Sequence, residues 1–68
     1  MSAATQVRLA NDIAAQFAHL PHEQAVAGIA GHLRTFWDPR MRAQLLEAVE
    51  ASGEGVPRLV LEAAARLR

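Results

Sequence analysis

Cysteine, lysine and tyrosine are absent from the 68-residue chain. Without thiols, neither a disulfide nor a zinc–thiolate site can staple the fold. A scaffold this small without a staple is marginal unless a partner contributes, because it buries only roughly 60% of the surface its unfolded form exposes. There is no excess of one charge either: seven arginines stand against seven acidic residues. A nucleic-acid binder carries a basic surplus that neutralises phosphates and releases counterions, so that class is disfavoured. No apolar run approaches the roughly 18 residues of a membrane span. The first dozen residues lack the basic start and apolar core of a signal peptide. The expectation is one soluble, cytoplasmic domain, residues 1–68, that binds neither membrane nor nucleic acid.

What the chain does have is helical periodicity cut by proline and glycine. At about 100° per residue, Ala10, Ile13, Ala14, Phe17 and Leu20 share a face, which predicts a first helix over 4–20 ended by Pro21. Val26, Ile29, Ala30, Leu33, Phe36 and Trp37 predict a second over 22–36. Asp38-Pro39 is a helix start, since Asp as N-cap accepts backbone N–H bonds and Pro at the first position pre-sets φ. Met41, Leu45, Leu46, Ala48 and Val49 then mark a third helix over 39–51, which Gly53 stops as a C-terminal cap. Leu59, Val60, Ala63, Ala64 and Leu67 mark a fourth over 57–67, with Leu61 off the stripe. The predicted fold is all-α, a compact bundle of about four short helices with short connections.

Catalytic chemistry has little to work with. A nucleophile needs Ser, Thr, Cys or Lys beside a base, and only Ser2, Thr5, Thr35 and Ser52 are offered, none in such a setting. His19, His22 and His32 lack a metal-ligand spacing such as a pair at i, i+4 and read as solvated helix-end residues. Gly28-Ile29-Ala30-Gly31 matches a GxxG string, but RNA-clamping loops place polar or basic residues between the glycines. Each mid-helix glycine costs about 1 kcal/mol relative to Ala. Gly28 and Gly31 lie opposite the apolar stripe, so they read either as close packing inside the bundle or as a groove for a partner backbone.

The most distinctive stretch is Phe36-Trp37-Asp38-Pro39-Arg40-Met41-Arg42. Phe36 reads as core. Arg40 and Arg42 sit in the first turn of a helix, where positive charge opposes the macrodipole. Arg42 projects from the apolar stripe, so it either snorkels, pairs with a carboxylate of the bundle, or meets a partner. Trp and Arg dominate interface hot spots. Trp37, Arg40 and Arg42, with Gly28 and Gly31, are therefore the candidate partner-binding residues.

That stretch, with Val7–Ile13, Ala25–Leu33 and Gly53-Glu54-Gly55 before a Leu-rich helix, resembles the delta subunit of NAD-dependent, molybdenum- or tungsten-containing formate dehydrogenases. The resemblance covers nearly the whole chain. It implies a non-catalytic accessory subunit of a cytoplasmic complex, bound to the catalytic (alpha) subunit and supporting its assembly, stability or cofactor insertion. The complex is implied to use a molybdenum or tungsten pterin cofactor, iron–sulfur clusters, flavin and NAD, none of them held by this chain. With no cysteine, it has no thiolates to ligate a cluster.

Two other readings rest on the residues alone. One is a stand-alone helical regulator binding nucleic acid or another protein, for which salt-sensitive binding would be the sign. The other is a self-associating structural protein, which would show a concentration-dependent mass.

Overall fold

A computed structural model describes residues 3–51 and 55–68, with side chains from residue 5 onward. Ser2, Ser52, Gly53 and Glu54 lie outside the described residues, so the expectations placed on them are not addressed. The described chain forms four helices: α1 (Ala3–Phe17), α2 (His22–Phe36), α3 (Pro39–Ala51) and α4 (Arg58–Ala65). Among the described residues there is no strand. The radius of gyration is 10.6 Å, against about 10.9 Å expected for a compact domain of this length.

The punctuation acts largely as its chemistry requires. At α3 the Met41 N–H donates to Asp38 Oδ1 at 2.8 Å, which satisfies one of the unpaired donors of the first turn. At α2, Pro21 is the N-cap without a side-chain bond, and its carbonyl accepts from the Ala25 N–H at 2.9 Å. Pro57 plays the same part at α4. Gly55 has φ 79°, a conformation that costs L-residues with a Cβ. Two ends fall short of the periodicity. The first helix stops at Phe17 rather than Leu20, closing in a tight turn where the Leu20 N–H meets the Phe17 carbonyl at 3.0 Å. The fourth ends at Ala65, with a further tight turn through Leu67.

Ala10, Ala14, Val26, Ile29, Ala30, Leu33, Trp37, Leu45, Val60, Ala63 and Ala64 form one buried cluster. Its largest members contribute roughly 1.5–3 kcal/mol each through burial. The small alanines let the helices approach. α2 packs chiefly on α4 and α1, and α1 packs on α3, while α2 and α3 meet mainly at their junction. That diagonal arrangement leaves the α2–α3 junction as an outer corner of the bundle.

One core expectation is overturned. Phe36 is 71% exposed, whereas its neighbour Trp37 is only 7% exposed. Periodicity fixes a residue's azimuth on its helix, not how far the partner helices extend along the axis. Adjacent residues lie about 100° apart, so two aromatics at a helix end compete for one core slot. The larger indole takes it.

Candidate functional site

Trp37, Asp38 and Arg42 fasten the α2–α3 corner from beneath. Trp37 leaves the helix in an extended conformation, φ −89° and ψ 141°, with its N–H still bonded to the Leu33 carbonyl. Its buried side chain anchors the turn. Arg42 reaches back from α3 and its Nη1 donates to the main-chain oxygens of Arg34 (3.2 Å), Leu33 (3.5 Å) and Trp37. These carbonyls belong to the last turn and the C-cap of α2, where backbone donors run out, with only the Leu33 oxygen also accepting from the Trp37 N–H, and where negative partial charge accumulates. Arg42 therefore opposes the dipole of its own helix but complements that of the preceding one. It is neither a snorkelling side chain nor the partner of a bundle carboxylate, because the helix end beside it offers several acceptors at once.

Above this anchoring, Arg34, Thr35, Phe36, Asp38, Pro39 and Arg40 are all exposed. Phe36 rests against the ring of His32, with centroids 4.7 Å apart and planes tilted by 41°. Arg40 makes no hydrogen bond or ion pair among the described residues. The corner thus carries a large apolar ring and an unpaired cation on a backbone held from below, a combination typical of interface anchors. Of the residues singled out in the sequence, the structure brings Trp37, Arg40 and Arg42 together at one junction. Only Arg40 points outward. Phe36 was missed because its azimuth matches the apolar stripe, and the Phe-Trp pair at a helix end was the available signal.

A second feature adjoins Arg40. Gln6, Arg40, Met41 and Gln44 line a cleft of about 250 Å³ between α1 and α3. Gln6 is 1% exposed. Its Nε2 donates to Gln44 Oε1 at 2.9 Å, while its own Oε1 is buried without a hydrogen-bond partner. Leaving such an acceptor unsatisfied costs about 1–3 kcal/mol. Gln6 lies one turn before Ala10 on the azimuth of the α1 stripe, so the helical period was the available signal, and its polar side chain is why the apolar stripe reads without it.

The two glycines differ. A Cβ at Gly28 would lie 2.5 Å from Phe17 Cδ1 and 2.6 Å from Cε1, whereas at Gly31 it would meet nothing within 4 Å. Gly28 therefore lets the Phe17 ring sit directly on the α2 backbone, although its azimuth lies off the apolar stripe. The ring comes from the end of α1 and packs against both the core cluster and the α2 backbone at Gly28. Gly31 faces open space, as a partner groove would need.

The histidines are dispersed. His22 Nε2 lies 2.8 Å from Glu62 Oε2, His32 supports Phe36, and His19 is exposed. Glu62's carboxyl is held below its ordinary value chiefly by the hydrogen bond from His22, which outweighs the opposing effect of desolvation, with lesser help from the charges of His22, Arg58 and Arg66. Arg66–Glu23 (2.6 Å) and Arg68–Glu50 (3.0 Å) are exposed pairs, the kind that contributes little to stability. Among the described residues no three His, Cys, Asp or Glu side chains converge as a metal site would require. None of the described helices is long and apolar enough to cross a membrane.

The sequence profile of the family described as NADH-dependent formate dehydrogenase delta subunit, FdsD, matches residues 6–64. No curated protein and no solved structure matches the chain. The chain belongs to the formate dehydrogenase delta subunit family.

Proposed function

We propose that this chain is a non-catalytic accessory subunit of a cytoplasmic, NAD-linked formate dehydrogenase complex, and that it docks on the catalytic (alpha) subunit through the α2–α3 corner. Its role there is to support assembly, stability or cofactor insertion of that larger subunit. Family membership supports the place in a complex. The observation that carries the docking surface is Phe36, 71% exposed on a fastened corner. Burying a phenylalanine contributes roughly 1.5–3 kcal/mol, which a free monomer forgoes and a partner recovers. Trp37 and Arg42 serve the interface indirectly, by holding Phe36 and Arg40 in place before the partner arrives, which reduces the ordering entropy lost on binding. Gly31, with open space beside it, marks where a partner backbone can approach α2.

The pterin metal centre, iron–sulfur clusters and flavin belong to the other subunits in this reading. The residues present do not fit an iron–sulfur cluster, because the sequence has no thiolate donor. The chain's own side chains carry packing, capping and recognition rather than chemistry on formate.

The test is co-expression with the other subunits of the complex, comparing the wild-type chain with Phe36→Ser. The wild-type chain is expected to co-purify with the catalytic subunit, and the purified chain alone to oxidise no formate. Phe36→Ser should stay helical by circular dichroism and lose most of its retention, a hot-spot loss of about 2 kcal/mol. Wild-type retention of the folded Phe36→Ser variant would remove the corner from the docking surface. A wild-type chain that never co-purifies would remove the accessory role itself.

A further inference from the structure

The α1–α3 cleft contains two unmet demands of complementary kind. Arg40 is a guanidinium with no acceptor among the described residues, and the buried Gln6 oxygen is an acceptor with no donor. Both line the same cavity. We propose that this cleft is a socket for an acidic side chain of the partner subunit: Arg40 receives its carboxylate, and a main-chain N–H of the same segment donates to Gln6 Oε1. The inference rests on the docking role given above and specifies the chemistry of one contact within it.

Size, charge and wall composition select this occupant. The cleft holds about 250 Å³, below the roughly 300–1,000 Å³ typical of cofactor and drug-sized ligand sites, so it suits a side chain with its adjoining peptide group. Among the described residues its one charged wall is Arg40, and no carboxylate lines it. The planar fork of arginine matches a carboxylate with two parallel bonds. Met41 supplies a deformable apolar wall that can close on the stem of an aspartate or glutamate. Gln44 is half-buried and bonded to Gln6 through its oxygen, so its amide nitrogen can serve as a second donor to the incoming anion. The Gln6 oxygen is sealed in the free chain. Gln44 is the gate, and its displacement by the partner lets the Gln6 carboxamide turn toward the new donor.

An acceptor without a protein donor inside a 68-residue fold is a cost to the free chain that a donor from a bound partner would relieve. The expected signature is therefore opposite effects on folding and binding. The experiment measures affinity of the full-length chain for the enzyme complex purified without it, at low and high salt, together with thermal unfolding of the chain. Gln6→Leu should unfold at the same or a higher temperature than wild type, yet bind at least about tenfold more weakly, the equivalent of 1.4 kcal/mol. Arg40→Gln should weaken binding by a similar factor at low salt and lose most of the wild-type salt sensitivity, while Arg40→Lys should recover only part of the affinity.

If Gln6→Leu fails to fold, Gln44→Met takes its place: it leaves the buried Gln6 nitrogen without its acceptor and so should unfold at a lower temperature than wild type, while still binding at least about tenfold more weakly. Binding of Arg40→Gln within twofold of wild type at both salts overturns the socket. So does a folded Gln6 or Gln44 variant that binds like wild type. In either case, continued loss of binding by Phe36→Ser would leave the docking role standing. A wild-type chain that fails to bind at all would remove both.

Discussion

Arg42 and Trp37 are joined across the α2–α3 junction by a hydrogen bond from the Arg42 guanidinium to the Trp37 main-chain oxygen. The same guanidinium also serves the carbonyls of Leu33 and Arg34. One side chain thus terminates the preceding helix and fixes the angle at which the next one leaves. Arg40, two residues earlier, makes no such contact. The two arginines of the first turn of α3 therefore divide into a folding residue and a surface residue.

Arg42→Ala is accordingly expected to lower stability by about 1–3 kcal/mol, the range for losing hydrogen bonds to a charged group. Arg40→Ala should stay within about 0.5 kcal/mol of wild type, as surface substitutions generally do. Urea unfolding of both variants checks the contrast, and equal losses would contradict it.

The aromatic pair separates in the same way. Trp37→Ala removes a buried anchor and should cost roughly 3–5 kcal/mol, enough to unfold a domain of this size. Phe36→Ala removes a ring that is 71% exposed and supported by His32, so its cost should be below about 1 kcal/mol. Circular dichroism melts of the two variants report this directly.

The glycines of α2 give a prediction of opposite signs. Gly31→Ala gains helix propensity with open space at the new methyl and should stabilise by about 0.5–1 kcal/mol. Gly28→Ala places a methyl into the Phe17 ring, and overpacking of about 1–3 kcal/mol outweighs the same propensity gain. Melting temperatures should move up for Gly31→Ala and down for Gly28→Ala.

Acid should weaken the fold partly through Glu62. Its folded-state value lies below the ordinary 4.5, chiefly because of the His22 hydrogen bond. As pH falls, the unfolded chain takes up this proton first. The contribution of Glu62 is therefore fully present above 4.5 and is lost as pH drops through the lower folded value. Glu62→Gln should flatten the decline in melting temperature below about pH 5. An unchanged slope would show that other carboxylates govern it.

The all-α character, the number of helices, the bounds of α2 and α3 and most of the buried faces were legible in the sequence. Those features follow from local rules: a 3.6-residue period, a proline that fixes φ, and an aspartate that accepts first-turn N–H bonds. The resemblance carried by Phe36–Arg42 led to the family that the profile over residues 6–64 matches. Tertiary structure alone decided which of Phe36 and Trp37 enters the core, because azimuth says nothing of where neighbouring helices stop. It also decided that Arg42 serves the end of α2, since a guanidinium reaching back across a corner leaves no periodic trace. Gly28's tight fit against Phe17 and the unmet acceptor on Gln6 belong to the same class. Each arises where two helices distant in sequence meet, and the spacing of residues along one helix carries no record of what the other brings to it.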